Sequence, residues 1–192
     1  MKQFLTFLIV IVFFYKVKAA GFDGYYVTNK NDTVYTKVYL PSLLGQMLFF
    51  DKIEVLDTAL SKKVKLGPND ISCFVYFDDG KRFVYVSKSF ENEVRFFERR
   101  IRNNNLTLYS YAYSTGTGQY SVTRFKFVIA RNDTVYVIVS SADNAKVTRE
   151  KLKAFFSESN TQQVIEEKFR YRDKLERDII DFVNNLNTEH AK

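Results

Sequence analysis

The chain reads as an α+β protein: a mostly antiparallel sheet built from hairpins, one middle helix, and a helical carboxyl end. Three observations predict this. Short β-branched and aromatic runs recur from Tyr25 to Ser140, with turn residues between them. One stretch, Phe90–Ile101, interrupts them with apolar residues at helical spacing. After Ser140 the pattern changes to amphipathic helix. Strands first and helices last is the order of an α+β fold, and no regular strand–helix alternation points to a parallel nucleotide-binding sheet.

Met1-Lys2-Gln3 is a short basic start, and Phe4–Tyr15 is apolar except for Thr6. That length suits the hydrophobic region of a secretory leader and falls short of the roughly 20 residues a membrane-spanning helix needs. Val17 and Ala19 meet the small-residue rule before a cut, so residues 1–19 are expected to be a signal peptide cleaved after Ala19. Lys16 and Lys18 leave an uncleaved anchor as the other reading. The remainder divides into one α+β domain, residues 20–187, and a disordered polar tail, residues 188–192. The mature chain is expected to be exported, periplasmic or secreted, and not to span a membrane. Its oligomeric state is left open.

Within the domain, Tyr25–Asn29 and Thr33–Leu40 form a hairpin across Lys30-Asn31-Asp32. Ile53–Leu56 and Lys63–Leu66 are shorter strands, closed by Gly67-Pro68-Asn69-Asp70. Ile71–Phe77 and Arg82–Ser87 flank Asp78-Asp79-Gly80-Lys81, where Asp-Gly is a strong hairpin signal. Phe90, Val94, Phe97 and Ile101 then make the stripe of the expected middle helix, with Ser89 as its cap. Leu106–Ser114 returns to strand, and Gly116-Thr117-Gly118 is a loop that lacks a dinucleotide fingerprint. Val122–Ala130 and Thr134–Ser140 form the last hairpin. Helices follow over Thr148–Phe156, Thr161–Lys168 and Tyr171–Asn185. Asn31-Asp32-Thr33-Val34-Tyr35 recurs as Asn132-Asp133-Thr134-Val135-Tyr136, which repeated turn chemistry explains more simply than duplication.

Composition narrows the chemistry. Of 192 residues, 46% are apolar and 17% aromatic, which is the make-up of a folded protein. Removing the leader takes away three lysines and no acid, so the net charge falls from +7 to +4. That is too mild to argue for nucleic acid. A single cysteine, Cys73, excludes an intramolecular disulfide and lies in an apolar strand. The one histidine, His190, is in the tail, so neither a Ser-His-Asp or Cys-His mechanism nor a zinc site is expected. No cofactor and no metal are expected either. Carboxylate chemistry needs only two acids, and Asp51, Glu54, Asp57, Asp78, Asp79, Glu91, Glu93 and Glu98 offer no distinct pair.

Two rows are candidate binding residues. Arg95, Arg99 and Arg102 fall on one side of the expected helix and suit an anionic partner; the plainer account is a solvated face with Glu91 and Glu98 pairing four residues on. Tyr109, Tyr111 and Tyr113 alternate along one strand face and suit glycan stacking or a protein contact; ordinary cross-strand packing is the plainer account.

Four segments stand out: Gly24-Tyr25-Tyr26-Val27-Thr28, Asn31-Asp32-Thr33-Val34, Leu66-Gly67-Pro68-Asn69-Asp70-Ile71, and Phe96-Phe97 leading to Leu106-Thr107-Leu108-Tyr109. With the leader before them and helices after, they resemble a family of small exported proteins of unknown function common in Bacteroidota. Asn105 stands where that family usually carries Gly. The resemblance implies an exported compartment and this kind of fold, and it brings no catalytic residues. It also implies O-glycosylation candidates at Asp-Thr followed by an apolar residue: Thr33, Thr58 and Thr134. The leading expectation is a non-catalytic envelope protein that binds another envelope component, a protein or a glycan. A self-assembling structural subunit and a carboxylate-dependent glycan hydrolase are the alternatives.

Overall fold

The structure, a computed structural model, describes residues 21–39, 51–57, 60–102, 106–115, 122–171 and 174–189. The leader, Thr58, the Gly116 loop and His190 lie outside the described residues. The described chain builds ten strands and three helices. The strands are β1 (Gly21–Thr28), β2 (Thr33–Tyr39), β3 (Ile53–Asp57), β4 (Lys62–Leu66) and β5 (Ile71–Asp78). They continue as β6 (Lys81–Phe90), β7 (Glu93–Arg102), β8 (Leu106–Thr115), β9 (Val122–Arg131) and β10 (Val135–Ser140). The helices are α1 (Ala145–Phe155), α2 (Ser159–Lys168) and α3 (Leu175–Glu189).

All ten strands join one antiparallel sheet in the order β10-β9-β8-β7-β6-β5-β1-β2-β3-β4. Strands β1 to β4 form one meander, β5 returns to the free side of β1, and β5 to β10 form a second. Every connection therefore joins sheet neighbours except the one from β4 to β5. The hairpins expected from the turn residues are present. Asp79 and Gly80 take φ of +46° and +71°, the left-handed pair that a tight two-residue turn requires.

The middle helix is absent, and this corrects the sequence reading. Phe90–Ile101 is the end of β6, a turn at Glu91-Asn92, and most of β7. Glu91 and Asn92 both take positive φ, +52° and +65°, and close the hairpin without glycine. The physical reason lies in Phe96 and Phe97. As neighbours on a strand they point to opposite faces, and both are buried. Phe96 meets the edge of Phe74 at 5.0 Å, while Phe97 packs on Phe90 and Tyr111. A strand buried on both sides loses its alternation, so the four-three-four spacing of Phe90, Val94, Phe97 and Ile101 imitated a helix.

The core has two parts. One gathers Val38, Val55, Phe74, Phe96, Phe97, Tyr109 and Val128 along the sheet. The other lies under the helices, where Leu108, Phe127 and Ile129 meet Leu152, Ile165, Ile179 and Phe182. Each fully buried side chain of this size contributes roughly 1.5–3 kcal/mol relative to exposure. Helix α1 starts at Asn144, whose side chain accepts from the Val147 N–H at 2.9 Å. No helix among the described residues is long and apolar enough to cross a membrane.

Candidate functional site

Strand β7 carries the arginine row, and its pairing decides where each side chain goes. Arg95 lies opposite Lys88, and Arg99 lies opposite Tyr109. The register then slips between Arg99 and Ile101, leaving Arg100 as the extra residue of a bulge. After the bulge, Ile101 pairs with Leu108 on the helix-covered face, and Arg102 pairs with Thr107 on the other. Arg95, Arg99 and Arg102 thus share the face that the helices leave uncovered. Tyr109, Tyr111 and Tyr113 share it too, as alternate residues of β8. The structure brings the six candidates together, on strands instead of a helix.

Their roles differ. Tyr109 and Tyr111 are buried, only 3% and 7% exposed, so their rings pack under the cations. The Tyr109 hydroxyl donates to Asp133 at 2.5 Å, and the Tyr113 hydroxyl bonds Ser140 at 2.7 Å. Burial and the Asp133 carboxylate hold the Tyr109 phenol well above its usual range. Arg95 and Lys126 stand over the Tyr111 ring at 5.8 and 5.7 Å, within cation–π reach.

Three of the cations on this face are matched. Lys88 pairs with Asp133 at 3.1 Å, and Lys126 pairs with Glu91 at 2.7 Å. Arg95 meets Glu93 at 2.9 Å and Asp51 at 3.3 Å. For Lys126, burial works against the charge, but the hydrogen bonds to Glu91 and Tyr111 outweigh it and keep the ammonium above its usual range. Arg99, Arg102 and Arg124 make no ion pair or hydrogen bond among the described residues. Arg124, which lies opposite Tyr113, extends the row. The i,i+4 pairing expected of a helix is replaced by these cross-strand pairs. The cations of β6 and β9 were missed because only strand pairing brings Lys88 beside β7 and Arg124 and Lys126 beside β8.

Compared with known protein families, characterised proteins and solved structures, the chain matches none.

On the opposite face, the bulged Arg100 bridges two acids. Its guanidinium lies 3.0 Å from Glu98 and 3.4 Å from Glu176 of α3, and donates to Ser110 at 3.1 Å. Burial raises the Glu98 carboxyl above its usual range, against the pull of Arg100. Glu98 was among the acids the sequence offered; Glu176 joins it only because α3 packs across β7 and β8. Cys73 is half-buried in β5, and burial raises its thiol despite Arg99 nearby. Thr33 and Thr134 are exposed beside hairpin turns.

The arrangement is a cation layer on an aromatic floor. Beside the matched cations, Arg99, Arg102 and Arg124 leave excess positive charge on this face. Guanidinium groups so placed can donate paired hydrogen bonds to phosphate, sulfate or carboxylate.

Proposed function

We propose that this chain is an exported, non-catalytic protein of the cell envelope that binds an anionic envelope component through the uncovered face of its sheet. The supporting observation is the convergence of Arg95, Arg99 and Arg102 on that face, with neither Arg99 nor Arg102 in an ion pair among the described residues. The buried tyrosines act as its rigid support and hold the cations in place. Export is the expectation drawn from the leader.

Binding of this kind weakens with salt, because exposed charges are screened beyond about 8 Å at physiological ionic strength. The test is binding of the purified chain to envelope fractions at two salt concentrations, with Arg99→Gln and Arg102→Gln alongside. Each substitution should weaken binding by about tenfold, and high salt should weaken the wild type. Equal binding by both variants would remove this face from consideration.

A second reading, a self-assembling subunit, is favoured by one observation. The two edges of the sheet differ in character. Edge strand β4 carries Lys62, Lys63 and Lys65, charges that resist pairing with another strand. Edge strand β10, Val-Tyr-Val-Ile-Val-Ser, carries no charge.

A further inference from the structure

A separate feature lies on the helix-covered face, away from the arginine row. A pocket of about 210 Å³ opens where the turn between β9 and β10 meets the junction of α1 and α2. Its floor is apolar and buried: Leu106, Phe156 and Leu186. Arg131 and Glu158 line it with opposite charges, and neither forms an ion pair among the described residues. The Arg131 guanidinium is steadied by the Phe155 ring, 5.5 Å away.

Glu158 occupies the cap position just before α2, yet its side chain makes no cap hydrogen bond. The opening N–H groups of α2 are therefore left without a side-chain cap, and such groups favour an anion. A second observation points the same way. Thr161, the third residue of α2, lines the pocket while only 8% exposed, and its hydroxyl makes no hydrogen bond among the described residues. A buried hydroxyl without a partner costs free energy, which a ligand atom would recover.

We propose that this pocket binds a small zwitterion with an apolar side chain, of the class of free leucine or phenylalanine. The ligand carboxylate takes hydrogen bonds from Arg131, the α2 N–H groups and the Thr161 hydroxyl. The ligand ammonium donates to Glu158. The apolar side chain rests on Leu106, Phe156 and Leu186. The size fits, since an apolar cavity of roughly 150 Å³ already takes benzene.

The test is titration of the purified chain with L-phenylalanine, L-leucine, 3-phenylpropionate and 2-phenylethylamine, followed by calorimetry or NMR. One of the two amino acids should saturate the protein, with each singly charged analogue about tenfold weaker. Arg131→Met and Glu158→Gln are surface changes and should leave the melting temperature unchanged. Arg131→Met should weaken the amino acid and 3-phenylpropionate, whereas Glu158→Gln should weaken the amino acid and spare 3-phenylpropionate. No saturation by either amino acid up to about 10 mM would overturn the proposal. So would equal binding of all four compounds, or binding that both variants retain in full.

Discussion

Asp133 sits in an exposed turn, yet the Tyr109 hydroxyl and the Lys88 ammonium fix it from two sides. Burial opposes its charge, but these two donors prevail and hold its carboxyl below the usual range. A group whose pKa is depressed in the folded state adds stability in full above the unfolded value of about 4 and loses it as pH falls through the folded value. Asp133→Asn should therefore lower the melting temperature at pH 6, with the gap from wild type closing in acid. Glu98 behaves in the opposite sense. Its raised pKa means that relative stability is present below about pH 4.3 and is lost as pH rises through the folded value. Thermal melts of Glu98→Gln should thus improve relative to wild type between pH 4 and the raised folded value. Gly24 tests packing without charge. A Cβ there would lie 2.2 Å from the Val75 carbonyl oxygen, where β1 and β5 approach closely. Gly24→Ala should cost about 1–3 kcal/mol in denaturant unfolding; an unchanged midpoint would refute that contact.

Hairpins were legible because their turns carry local chemistry. Asn31 and Asn132 take φ of +68° and +51°, as the recurrent Asn-Asp-Thr motif implies. The three carboxyl-terminal helices were legible from their amphipathic stripes. Strand β7 was not, because apolar side chains are buried on both of its faces, a tertiary fact with no local signature. Its turn, Glu91-Asn92, carries no glycine to announce it. Substitution at Glu91 separates the two readings. Proline suits the first turn of a helix but cannot adopt the φ of +52° found here. Glu91→Pro should therefore destabilise the protein by more than about 1 kcal/mol, which circular dichroism melts would report. The candidate residues were found in the sequence for a partly mistaken reason. Arg95, Arg99 and Arg102 share a helix face at four-three spacing, and the bulge at Arg100 lets a strand present the same three together.

Across the whole molecule, the sheet divides the work between its faces. One is roofed by helices and carries the second core; the other shows cations above buried tyrosines. The edges divide in the same way, lysine-rich at β4 and uncharged at β10. If β10 pairs between copies, sedimentation should show oligomers that Val135→Lys dissolves, since Val135 is 60% exposed on that strand. A monomer at high concentration would set self-assembly aside. The binding account is tested most directly by crosslinking the tagged protein in its native envelope, capturing it, and identifying by mass spectrometry what accompanies it. The account predicts a stoichiometric partner with wild type and its loss from a protein carrying Arg99→Gln and Arg102→Gln together. Recovery of the wild-type chain alone, or of the same partner with the double variant, would contradict it.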